Sequence, residues 1–214
     1  MAGPIGAYPG TFDPPTVAHL AVAEAARRQA GLSRVDLVVS RRPLGKAPEV
    51  PSFEDRLAVL SAVAAGRPWL GIEVSDGRLI ADVCRGYDTV IMGLDKWHQV
   101  TDPAWYGDSE AARDAAVASL PPVLLALRAG SPPPSSLTPT TRVLQVGDEH
   151  LEVSSTMARA GRREWMLPEA ARFDIDTGAW SDPERYLRAR HAGTSTAGTA
   201  SLSPMPAATD SSEE

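Results

Sequence analysis

The chain has 214 residues, 43% of them hydrophobic and 22% charged, with a formal net charge of -6. That length supports one α/β domain with a sizeable core, and the acidic balance excludes a general basic field for nucleic acid, so any polyanion bound must be small and held locally. The single Cys84 excludes an internal disulfide and a cysteine-built metal cluster; with no bilayer-length apolar run and no basic-then-hydrophobic leader, the chain reads as cytoplasmic with no membrane partner.

The apolar run Pro4–Tyr8 predicts a first strand, and the Ala-rich pattern Ala21–Ala30 predicts a helix. Between them lies Gly10-Thr11-Phe12-Asp13-Pro14-Pro15-Thr16-Val17-Ala18-His19-Leu20, which reads as a Gly/Pro loop running into a helix N-terminus. Free N–H groups and the positive dipole end suit a phosphate there. Thr16, an N-cap or first-turn residue, and His19 are three apart and share a face. Val35–Ser40 predicts a second, buried strand, and Arg41–Pro48 a loop presenting Arg41, Arg42 and Lys46. Read locally, that loop serves equally as a phosphate contact or a solvated basic turn. Ser52-Phe53-Glu54-Asp55 opens a capped helix, in which Arg56 is expected to order the loops by pairing with a carboxylate.

Trp69–Val74 predicts a third strand, Leu79–Arg85 a helix holding Cys84 as a small buried hydrophobe, and Tyr87–Met92 a further strand running into Gly93-Leu94-Asp95-Lys96-Trp97-His98. Trp97, Trp105 and Tyr106 form an aromatic cluster that either packs a partly buried loop or walls a ligand. Ala111–Leu120 reads as a weak helix, Pro122–Arg128 as a buried strand, Gly130–Thr140 as a Ser/Pro-rich loop and Thr141–Val146 as a last strand. Ser154-Ser155-Thr156 at a helix start, with Arg159 one turn on, is either a capped helix with a surface arginine or an anion site. Pro168 is expected to break the following segment, and Pro183–Arg190 to form a last helix. The division is therefore 1–190 as one domain and 191–214 as a disordered tail of Ser, Thr, Ala, Gly and Pro. Strands alternating with helices predict a Rossmann-like, doubly wound parallel sheet, with ligands at the carboxyl ends of its strands.

Thr16-Val17-Ala18-His19 and Val153-Ser154-Ser155-Thr156-Met157-Ala158-Arg159 together resemble the T/H-x-G-H and I-S-S-T-x-x-R motifs of the nucleotidyltransferase superfamily, with Ala18 standing where the family has glycine. The loop Tyr8–Pro14 is similar to that of phosphopantetheine adenylyltransferases. Gly93-Leu94-Asp95 and the Trp105-Tyr106 pair resemble nicotinate or nicotinamide mononucleotide adenylyltransferases. The resemblance implies transfer of AMP from ATP to a mononucleotide phosphate by direct attack on the α-phosphorus, releasing pyrophosphate. It implies Thr16, His19 and Lys46 as the catalytic set. Gly10, Thr11, Phe12, His19, Gly93, Asp95, Ser154, Ser155, Thr156 and Arg159 would bind ATP, and Trp97, Trp105 and Tyr106 the acceptor. Mg²⁺ would travel with the phosphates, as no carboxylate cluster looks like a dedicated metal site. Partners would be ATP and a small phosphorylated acceptor, in a chain free to form a homo-oligomer. The alternatives are a phosphopantetheine adenylyltransferase, a cytidylyltransferase-like enzyme, or a nucleotide sensor without turnover.

Overall fold

Among the described residues, six strands form one sheet in the order β3-β2-β1-β4-β5-β6, with every pairing parallel. The computed structural model describes residues 3–41, 50–134 and 137–197, apart from the side chains of 193–197. The strands are β1 (Ile5–Pro9), β2 (Arg34–Ser40), β3 (Leu70–Ser75), β4 (Thr89–Gly93), β5 (Val123–Ala126) and β6 (Thr141–Val143). The helices are α1 (Val17–Ala30), α2 (Phe53–Ala65), α3 (Ile80–Val83), α4 (Leu94–Thr101), α5 (Glu110–Ala118), α6 (Ser155–Arg159), α7 (Pro168–Thr177) and α8 (Pro183–Ala197). This is the expected Rossmann-like, doubly wound parallel sheet. After β3 the chain returns to the far side of β1 to lay down β4, so β1 and β4 flank the point where the winding reverses. Ligands of such sheets bind at that crevice.

Alternation along the strands divides the apolar residues between two faces. Val35, Leu37 and Val39 of β2, with Ile91 of β4 and Leu124 of β5, pack under α1 and α2. Val38, Val90, Met92, Val123 and Leu125 point the other way, against α3 and α4. Cys84 is buried on that second face, as expected. Asp36 breaks the apolar pattern: it is buried, paired with Arg34, and accepts a bond from the Tyr87 hydroxyl at 3.3 Å. Gly71 makes room for it, since a Cβ there would lie 2.0 Å from the carboxylate.

Several bounds differ from those expected. Thr141–Val146 shortens to a three-residue edge strand that pairs only with β5. Gly93–His98 is helix rather than loop from Leu94 on. Pro168 starts α7 instead of breaking a helix, because a first helical position needs no N–H donor. α8 runs to Ala197, so the boundary expected at residue 190 falls inside a helix; the rest of the expected tail, 198–214, lies outside the described residues, as do Arg42 and Lys46. Among the described residues, no helix is long and apolar enough to cross a membrane.

Candidate active site

The loop after β1 is held from within. The Gly10 N–H donates to the Val38 carbonyl at 3.1 Å, so this amide is engaged by the sheet. Phe12 adopts a left-handed φ of 47°, uncommon outside glycine, and this turn tucks its ring inward until the residue is 1% exposed. The ring lies beneath Gly10, where a Cβ would come within 2.9 Å of it. It meets Tyr8 edge-on at 5.5 Å and His19 at 5.1 Å between centroids. Gly10 is therefore glycine because Phe12 folds back on it. Phe12 borders the site as a wedge beneath the loop, its ring buried.

Thr16 caps α1 and defines the state of His19. Its backbone N–H donates to His19 Nδ1 at 3.0 Å, while its hydroxyl lies 2.9 Å from the same nitrogen and accepts from the His19 N–H at 3.4 Å. A main-chain N–H can only donate, so Nδ1 is an acceptor and the ring proton sits on Nε2. Burial first, and the Arg128 charge second, lower the His19 pKa to about 4, so the imidazole is neutral at pH 7. Thr16 itself is 1% exposed with its hydroxyl turned to His19, which makes it a positioning residue; the direct phosphate contact expected of it does not fit this geometry.

The second wall comes from the far end of the chain. Ser154 caps α6, its Oγ accepting from the Met157 N–H. Ser155 Oγ donates to the Pro14 carbonyl at 2.8 Å. Arg159 Nη1 donates to the Asp13 carbonyl and lies 3.4 Å from its carboxylate. Trp180 Nε1 donates to the other Asp13 oxygen at 2.7 Å. Burial raises the Asp13 pKa, opposed by Trp180, Arg159 and Arg56. Arg56 orders the loop as expected, through the Thr11 carbonyl at 3.0 Å rather than through a carboxylate hydrogen bond.

Two adjoining cavities open at this edge of the sheet. The polar one, of about 350 Å³, brings together Gly10, Thr11, Phe12, Thr16, His19, Gly93, Asp95, Ser154, Ser155, Thr156 and Arg159. Gly93 leaves its side open, since a Cβ there would meet nothing within 4 Å. Ala18 adds a methyl to the wall. The second cavity is apolar and holds Trp105 and Tyr106, the latter anchored by its hydroxyl donating to the Val100 carbonyl at 2.9 Å. Trp97 borders neither. It is 2% exposed, because α4 places it on the same face as Leu94 and Val100, against the sheet. It is a core residue, and the expectation that it binds the acceptor is corrected.

Three site residues were not singled out from the sequence. Arg128, just beyond β5, pairs with Asp95 at 3.2 Å across the mouth of the polar cavity. His150 borders the same cavity with a buried Nδ1 that has no partner among the described residues. Lys96 borders both cavities. The one available signal was position: Arg128 follows the carboxyl end of a central strand, where ligands of this fold bind.

Comparison with known proteins bears on this arrangement. A family model described as cytidylyltransferase-like matches residues 7–161. The chain is 31% identical over 194 residues to a Salinibacter ruber protein named probable nicotinate-nucleotide adenylyltransferase, covering 81% of this chain and 95% of that one. A Bordetella avium protein of the same name is 38% identical over 72 residues, covering 34% of this chain and 36% of that one. Among solved structures, Plasmodium falciparum nicotinic acid mononucleotide adenylyltransferase complexed with NaAD matches with a TM-score of 0.61 at 16% identity, over 83% of this chain and 97% of that one. At that identity the likeness concerns the fold.

Proposed function

This chain belongs to the cytidylyltransferase-like family, and from that premise we propose that it transfers the adenylyl group of ATP to the phosphate of nicotinate mononucleotide. A phosphate oxygen of the acceptor attacks the α-phosphorus. The new P–O bond forms as the bond to the oxygen bridging the β-phosphorus breaks, and pyrophosphate leaves with the electron pair. No side-chain nucleophile takes part; the protein supplies alignment and compensates developing charge.

The observation that carries this reading is the fixed tautomer of His19. With Nδ1 occupied by the Thr16 N–H, the neutral ring offers Nε2–H as a donor in the cavity that also contains Arg159 and the Ser154–Thr156 turn. His19 stabilises charge on the α- and β-phosphates. Ser154, Ser155, Thr156 and Arg159 hold the β- and γ-phosphates. Lys46 neutralises the departing pyrophosphate. Mg²⁺ enters as part of the nucleotide substrate. Among the described residues, the two acidic side chains on the polar cavity are already engaged, Asp13 by Trp180 and Arg159 and Asp95 by Arg128. The near full-length similarity to the S. ruber protein supports the acceptor. We assign the protein to the cytoplasm, where these soluble substrates occur.

The test is pyrophosphate release from ATP or CTP with nicotinate mononucleotide, its amide, or 4′-phosphopantetheine. Saturable release with ATP and a pyridine mononucleotide is expected. Turnover only with CTP, or only with 4′-phosphopantetheine, would overturn the reading.

A further inference from the structure

Lys96 and Gln99 lie three residues apart on the face of α4 turned away from the core. The Lys96 ammonium donates to the Gln99 side-chain oxygen at 2.8 Å. Gln99 borders the apolar cavity and not the polar one, so this bond draws the ammonium to the apolar side, beside Trp105 and Tyr106. Among the described residues no carboxylate pairs with Lys96; its partner is a neutral amide. A cation in such surroundings is poorly solvated, and burial lowers the Lys96 pKa accordingly. An anion entering the cavity would restore what the ammonium has lost.

The acceptor, on the reading proposed above, carries two anionic groups. Its phosphate must lie in the polar cavity, near His19, to reach the α-phosphorus. Its ring enters the apolar cavity, and the ring's substituent is then the group within reach of the ammonium. We propose that Lys96 is a specificity-determining residue: it selects an acceptor whose pyridine ring carries a carboxylate over one carrying the corresponding carboxamide. The carboxylate takes a charge-assisted bond from the ammonium, while the Gln99 amide keeps the lysine side chain in place. A carboxamide accepts from the same ammonium without the charge term, and its own N–H₂ finds a cation opposite it.

The proposal is tested by kcat/KM for nicotinate mononucleotide and for nicotinamide mononucleotide, in wild type, K96M and K96R, with ATP saturating. K96M keeps the length of the side chain without its charge. It is expected to lower the acid-to-amide preference about tenfold, the usual scale of a hydrogen bond to a charged group, chiefly through the acceptor KM. K96R restores a cation and is expected to recover most of the preference. An equal loss with both acceptors in K96M, an unchanged ratio, or K96R behaving as K96M does, would each overturn it. Absence of wild-type turnover with either pyridine mononucleotide is a different result, which removes the functional reading itself.

Discussion

A neutral imidazole donates without titrating, and this separates His19 from the cations around it. With its pKa at about 4, His19 keeps one protonation state across the range in which an ordinary histidine changes. The acid limb of kcat/KM, which reports the free enzyme, is therefore expected to show no inflection near pH 6.5 that disappears in His19→Ala. The same substitution is expected to lower kcat by about two to three decades, the scale of losing one preorganised donor to developing charge. Wild-type turnover in that variant would place the chemistry elsewhere. The shifted pKa also carries a stability consequence. Between pH 6.5 and about 4 the unfolded chain binds the His19 proton and the folded chain does not, so stability falls as pH drops through that window and the loss is complete below it. In His19→Asn, which has no proton to take up, melting temperature is expected to fall less between pH 7 and pH 4.5; equal falls would show that the ring is not held neutral.

At the scale of elements, the phase of one short helix decides which aromatic meets the acceptor. Because α4 starts at Leu94, residues 94 and 97 face the sheet, 100 lies between the core and the apolar cavity, and 96 and 99 face the cavities. An Asp-Lys-Trp-His stretch gives no such phase when read as a loop, which is why the sequence alone does not separate Trp97 from Trp105 or mark Lys96. Trp105→Ala is expected to raise the acceptor KM several-fold, since ring stacking contributes about 0.5–1.5 kcal/mol beyond burial, and to leave the ATP KM near wild type. A matching rise in both constants would mean that Trp105 only packs its turn. A second element-level link runs from α7. Asp174 is fully buried at its C-terminal end, accepting from the Trp180 and Ser181 N–H groups at 2.8 Å and from Arg163 at 2.9 Å. Burial alone would raise its pKa, but these donors hold it below the ordinary carboxylate value. They also fix the turn from which Trp180 reaches Asp13. Asp174→Ala removes the acceptor of the Trp180 and Ser181 N–H groups, while Arg163 keeps its bond to Ser181 Oγ, and is expected to cost about 2 kcal/mol of stability. It should lower turnover as well, at a temperature where the variant is still folded. If stability falls and turnover does not, Trp180 does not govern the loop.

For the whole molecule, legibility followed the range of the interactions. The central strands could be read because β-branched runs and their alternation are local, and the doubly wound order followed from strands alternating with helices. Thr16, His19, Ser155 and Arg159 were legible because each sits in a short motif. What could not be read was set by partners far along the chain. Phe12 is hidden by a backbone turn, and the Gly10 amide is engaged by a neighbouring strand. Arg128 and His150 depend on where β5 ends and how β6 is followed. The grip on Asp13 shows how far this range extends: Arg159 lies 146 residues along from it and Trp180 lies 167. A ribosome lays down all six strands before it makes either of them. A chain ending after His150 keeps the internal contacts of that loop but lacks Ser155, Arg159 and Trp180, which tie Asp13 and Pro14 to the far end of the chain. Chains truncated there are expected to release no pyrophosphate, having lost both that tie and the Ser154–Arg159 contacts proposed for the phosphates; pyrophosphate release by the shorter product would overturn both roles. The start of the site is thus fastened by residues translated after every strand of the sheet.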